Sequence, residues 1–204
     1  MRLPSKTYEM QNVERDLQTF VTLAFIVCEN ADKNYTERRE ALTNLAQQSL
    51  RKGINNDESV KLATTEAGDI AVIPSRRQGV IVIQLKDHQA LQFDGMEQGF
   101  SGSEILNDGT VLMLNTIDGN IYMLPPNSKK LEEYEFNKTF EGMDDGSPIT
   151  FKIDGQNLTI TSPGCEDSGA IPALQNKTIA IPQSPGDYVG RKIKEKWPQP
   201  WQEL

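Results

Sequence analysis

Catalytic residue types are scarce in this chain. Its 204 residues hold one histidine, His88, and two cysteines, Cys28 and Cys165. A lone imidazole cannot build a multi-histidine metal site. The two cysteines stand too far apart in sequence for a C-x-x-C redox pair or a zinc pattern. Cys28 reads as a buried thiol on an apolar helix face and Cys165 as a loop thiol, with a disulfide between them as the alternative. Long apolar runs are also missing. The longest, Phe20 to Cys28, ends at Glu29 and falls well short of the ~20 residues that cross a bilayer, which excludes a membrane-spanning helix there. Polar and acidic residues between the basic start and that run do not fit a signal peptide. A cytoplasmic location is the expectation, with a periplasmic or extracellular one as the alternative. The four N-x-T sequons at Asn34, Asn137, Asn157 and Asn176 therefore carry no weight.

Positive charge is thin where most of the chain lies. Residues 1–66 hold 9 basic and 10 acidic residues, 67–186 hold 8 and 16, and 187–204 hold 4 and 3. An acidic middle segment repels phosphate backbones, so nucleic acid is not expected as a partner. A protein partner or self-association fits the balance better. No P-loop or dinucleotide-binding glycine pattern occurs, and Asp144 and Asp145 lack the D-x-D-x-D-G frame of a calcium loop, so no cofactor is expected.

What the chain does have is periodicity, and it changes near Gly68. Before that point Met10, Val13, Leu17, Phe20, Ala24, Val27 and Ala31 recur at alternating spacings of three and four, the apolar stripe of a packed helix. Leu23 and Ile26 occupy its opposite side, which predicts that its C-terminal turns are enclosed by protein. Asn34 with Glu37 predicts a capping box opening a second helix over about 35–52, with Leu42, Leu45, Ala46 and Leu50 inward and Gly53 ending it. A third, weaker helix is predicted over 57–66.

After Gly68 the runs DIAVIP, GVIVIQL, QALQF, TVLML, NIYML, EYEFNKTF, PITFKI, NLTI and KTIAI are strand-length and bounded by turn residues. Asp118-Gly119 and Asp154-Gly155 mark tight hairpins. Val80 to Ile83, Val111 to Leu114 and Ile121 to Leu124 are apolar throughout, so both faces of those strands must be covered. PITFKI alternates and should have one wet face. The fold class is therefore α+β: an N-terminal helical unit (1–67) packed on a mainly antiparallel sheet or sandwich of about eight strands (68–186). A basic arm containing Pro and Trp (187–204) completes the chain.

Two stretches suggest function. Gly99-Phe100-Ser101-Gly102-Ser103 comes within one residue of a G-x-S-x-G nucleophile elbow. An elbow needs a helix after the serine and a histidine downstream. Here a turn and a strand follow, and His88 lies upstream. The order His88, Asp94, Ser101 echoes another hydrolase arrangement but compresses it into one short segment. The reading is a flexible connection, with His88, Asp94, Glu97 and Ser101 as weak catalytic or carboxylate candidates beside Asp87, Ser103 and Glu104. The second stretch is the C-terminal VGRKIKEKWPQPWQEL, where Pro198 and Pro200 favour an extended path. Trp197 and Trp201, with Arg191 and Lys192, are candidate partner contacts there. The functional expectation is a non-enzymatic binding or assembly protein, a subunit or adaptor in a larger bacterial or phage complex. The alternatives are a metal- or carboxylate-assisted hydrolase using the 87–104 loop, and an exported pilus-like subunit domain.

Overall fold

The structure is a computed structural model that describes residues 15–30, 33–50, 60–75, 78–136, 140, 149–180 and 182. Two helices come first, α1 (Arg15–Glu29) and α2 (Tyr35–Ser49). The capping box forms as the sequence predicts: Glu37 N–H donates to Asn34 Oδ1 at 3.0 Å and Asn34 N–H donates to Glu37 Oε2 at 3.0 Å. Eleven described strands follow. They are β1 (Lys61–Thr65), β2 (Gly68–Ser75), β3 (Gly79–Gln84), β4 (Gln89–Phe93), β5 (Phe100–Ile105), β6 (Val111–Asn115), β7 (Asn120–Leu124), β8 (Glu132–Tyr134), β9 (Thr150–Asp154), β10 (Asn157–Ser162) and β11 (Cys165–Ala170).

These strands do not make one sheet. Each of three sheets is an antiparallel meander of consecutive strands: β1 to β4, β5 to β8, and β9 to β11. Three apolar cores order the layers. The first joins α1 and α2 to one face of the first sheet, through Phe20, Leu42, Ile73, Ile81 and Ile83. The second lies between the first and second sheets, through Val72, Val80, Val82, Val111 and Met113. The third lies between the second and third sheets, through Leu112, Leu114, Ile121, Phe151 and Ile160. The order is helices, sheet, sheet, sheet.

This stacking accounts for the wholly apolar strands. Successive side chains point to opposite faces, so Ile81 and Ile83 enter the first core while Val80 and Val82 enter the second. In the same way β6 and β7 divide their residues between the second and third cores. The third sheet ends the stack. In β9, Phe151 is buried while Thr150, Lys152 and Asp154 are exposed, which is the wet face expected from PITFKI.

Several expectations are corrected. The segment read as a third helix contains β1, because Thr65 closes a hairpin onto β2: its Oγ1 donates to Gly68 O at 2.7 Å and accepts from Ala67 N at 3.1 Å. The single sheet or sandwich of about eight strands is three sheets, with β5 and β11 unforeseen. KTIAI contributes one antiparallel bridge, Leu106 with Ile179, rather than a strand. On α1, Leu17, Phe20, Ala24, Phe25 and Cys28 are buried, but Leu23 and Ile26 are 40% and 41% exposed, so the C-terminal turns are not enclosed by the described residues. Met10, Val13, Ala31, Gly53 and the basic C-terminal arm, with Arg191, Lys192, Trp197 and Trp201, lie outside the described residues.

Candidate functional site

The 87–104 segment is not a loop. β4 occupies its centre and β5 its end, so the candidates on either side of β4 are held apart. His88 precedes β4 in the β3–β4 turn, in the left-handed region at φ 50. Its Nε2 is 3.3 Å from Glu29 Oε1 and its ring meets Phe25 edge-on at 5.7 Å, so it fastens the first sheet to the end of α1. Asp94 and Glu97 follow β4. At ~3.4 Å per residue, the extended chain from His88 to Asp94 spans about 20 Å, far beyond the reach of a proton relay.

Ser101 is not in a flexible connection either. The β5–β6 register shifts between Phe100 and Gly102, which makes Ser101 the extra residue of a β-bulge. Its Oγ donates to Thr116 Oγ1 at 3.1 Å, and the Thr116 hydroxyl in turn donates to Gly99 O at 3.2 Å. The β6–β7 turn braces the same corner: Asn115 Nδ2 donates to Gln98 O at 2.9 Å and Thr116 N–H to Gly99 O at 2.7 Å. Gly99 is required there. At φ 79 it is in the left-handed region, and a Cβ would stand 2.5 Å from Asn115 Oδ1. The serine hydroxyl therefore belongs to a bracing network, with strands rather than a helix on both sides.

Glu97 carries the clearest perturbation near this corner. Burial pushes its carboxyl up, backbone hydrogen bonds from its own and Gly95 amides oppose that, and the nearby Asp94 adds to it. Glu104 departs in the same direction. Burial raises it, while Lys61 and the hydrogen bond from Ile105 N–H at 3.2 Å pull it back. Tyr35 is raised by burial, relieved by Arg39 and raised again by Glu104. Tyr35, Lys61 and Glu104 thus form a polar junction where the start of α2, β1 and β5 converge. The sequence offered little to find it, since Lys61 stands in the stretch read as helix and Glu104 in the stretch read as connection.

A second polar group missed by pattern reading lies inside the helical layer. Arg38 is fully buried, and its Nη1 donates to Cys28 O at 3.0 Å, closing the C-terminal turn of α1. Burial pushes the Cys28 thiol up, Arg38 opposes this, and Asp69 and Glu29 add to it. The result is a protonated, unreactive thiol. Cys165 packs against the third core while Cys28 sits in the first, so two sheets separate them and both are free. Among the described residues no three His, Cys, Asp or Glu side chains are grouped to hold a metal ion, and no helix is long and apolar enough to cross a membrane. Comparison of the chain with protein-family models, with curated proteins and with solved structures finds no match in any of the three.

Proposed function

We propose that the chain is a non-enzymatic binding or assembly protein, a subunit or adaptor of a larger complex. The observation that carries this reading is the pair Leu23 and Ile26, 40% and 41% exposed and three residues apart on one side of α1. Residues at this spacing share a helix face, and an aliphatic pair left in water on a helix otherwise committed to a core is a contact surface in search of cover. The separation of His88 from Asp94 and the engagement of the Ser101 hydroxyl support the same reading by leaving the 87–104 candidates without a shared reaction centre.

Size-exclusion chromatography of native-host extract tests the proposal. The protein should elute well above its 22.8 kDa chain mass. The double substitution Leu23→Ser, Ile26→Ser should return it toward that mass without lowering its melting temperature. Elution of the unaltered protein as a free single chain overturns the reading.

A further inference from the structure

A sheet edge is a row of unpaired backbone donors and acceptors, and folded proteins blunt such edges with charge, proline, bulges or cover. Of the six edge strands among the described residues, five are protected in these ways. β1 lies against α2 and β5, while β5 is bulged at Ser101 and bridged at its end by Ile179. β8 carries Glu132 and Glu133, β9 carries Lys152 and Asp154, and β11 carries Glu166 and Asp167. The sixth is β4. Gln89-Ala90-Leu91-Gln92-Phe93 has no charge and no proline, pairs with β3 in unbroken register, and among the described residues neighbours no other strand.

The backbone of β4 is set to accept another strand. The carbonyl of Phe93 lies against Gly79 and so faces β3, and alternation then turns the N–H and C=O groups of Ala90 and Gln92 outward. The Gln92 side chain is drawn toward the β2–β3 turn, donating to Gln78 O at 2.7 Å, and does not cap this edge.

We infer that β4 is a homodimerisation edge, at which a second copy of this chain adds its own β4 antiparallel about a two-fold axis through Leu91. The sequence is complementary to itself in that register. Ala90 faces the partner's Gln92, Gln89 faces the partner's Phe93, and His88 faces the partner's Asp94. Within β4 no charged residue is set against another, so no like charges oppose each other along the paired strands. Each contact is made twice by symmetry. The two four-stranded sheets become one continuous sheet, and the residues that face the second core in each copy stay on the same side. This deepens the assembly reading by naming a partner and a surface separate from the Leu23 and Ile26 face.

Sedimentation of the purified full chain, across concentrations up to ~100 μM, should show twice the 22.8 kDa mass. That concentration suits a contact of micromolar strength. Ala90→Pro removes an outward N–H and should return the protein to a single chain while keeping the β3 pairing. Asp94→Lys, on an exposed turn at the end of β4, should weaken association about tenfold by removing the carboxylate beside the partner's His88 and setting a bulky cation in its place, and it answers the same question if Ala90→Pro fails to fold. In a Cys165→Ser background, mild oxidation should join Ala90→Cys chains to Gln92→Cys chains by a disulfide in an equimolar mixture and join neither variant to itself, because directly opposed residues lie within disulfide reach and diagonal ones at about 7–8 Å do not. A single-chain mass at the highest concentration overturns the inference, as does a dimer that survives both Ala90→Pro and Asp94→Lys. Efficient self-linking of either cysteine variant overturns it too. So does a dimer that appears only after removal of residues 183–204, which would mean that the chain covers its own edge. Because only purified protein is used, failure here leaves the native-extract test of assembly to stand or fall by itself.

Discussion

Replacing Arg38 with alanine should be among the most damaging single changes in the helical layer. The side chain is fully buried and its Nη1 holds the Cys28 carbonyl at 3.0 Å, with Nε 3.4 Å from Asn34 O. Truncation leaves a buried carbonyl without its donor, which costs about 1–3 kcal/mol. It also removes the cation whose field opposes that of the buried Asp69 at the Cys28 thiol. Losing a hydrogen bond from a charged donor and leaving the space of a large buried side chain add to this, so the total should reach about 3 kcal/mol or more. Against a total of ~5–15 kcal/mol for a folded domain, the variant should be marginal. At about 2–4 °C per kcal/mol for a chain of this size, its melting temperature should drop by roughly 10 °C. Urea titration followed by circular dichroism reads the change. Arg38→Lys is the comparison, since it keeps the charge and loses the fork, and it should fall between the two. A loss below about 1 kcal/mol in Arg38→Ala would refute the reasoning and mean that water replaces the guanidinium at the α1 terminus.

Smaller changes test the remaining parts. Ser101→Ala removes the bond to Thr116 and should cost only about 1 kcal/mol in urea titration while leaving partner binding intact; lost binding at unchanged stability would restore a chemical role to the hydroxyl. Gly99→Ala forces a Cβ to 2.5 Å from Asn115 Oδ1 at φ 79 and should destabilise by at least ~2 kcal/mol, so an unchanged urea midpoint would show that the corner yields. Burial pushes the Glu104 carboxyl up more than Lys61 and Ile105 N–H restrain it, so the folded state binds its proton more tightly than the unfolded chain. Glu104→Gln should therefore raise the melting temperature at neutral pH, and the gain should vanish as pH falls and the native carboxyl takes up its proton; a loss at neutral pH would contradict this. Burial also pushes Asp108 up, but the hydrogen bonds from Lys177 Nζ and Thr110 outweigh it and hold the carboxyl below its usual range. Its contribution should be present above the unfolded pKa of about 3.9 and lost as pH falls through the lower folded value, so the stability gap between the native protein and Asp108→Asn should close under acid.

Much of the architecture was legible because burial on both faces leaves a direct mark in sequence. Strands β3, β6 and β7 sit between two cores and must be apolar at every position, and that is how Val80 to Ile83, Val111 to Leu114 and Ile121 to Leu124 read. The capping box at Asn34 and Glu37 is equally local and formed as expected. What stayed hidden depends on distant partners. β11 is an outer strand of exposed and half-buried residues with no apolar signature, and β5 takes its strand character from β6 despite its glycine and serines. β1 was misread because Leu62 and Ala63 suit a helix until the hairpin onto β2 divides them between two cores. The candidate site failed for a related reason. A separation of six positions between His88 and Asp94 looks short in sequence, but an extended strand turns it into distance, whereas a helix would have folded it into proximity.

The stack also constrains how the molecule can associate. A further sheet cannot stack directly on either outer sheet, because α1 and α2 cover the first and β9 turns an exposed polar face outward beyond the third core. A layered protein closed at its faces can still extend within the plane of a sheet, and that route needs an edge free of charge and cover. β8 and β11 are acidic, so a second copy would bring like charges together there, and β9 sets Lys152 and Asp154 along its length, side chains of the kind that blunt a sheet edge. β4 carries no such repulsion, and the flanking His88 and Asp94 differ in charge type at symmetric distances from Leu91. Lateral pairing would leave Leu23 and Ile26 on α1 uncommitted, because that helix packs over a face of the first sheet rather than along its edge. Two copies joined at β4 would then present two such faces, and a weak contact at each would gain by being made twice on one partner assembly.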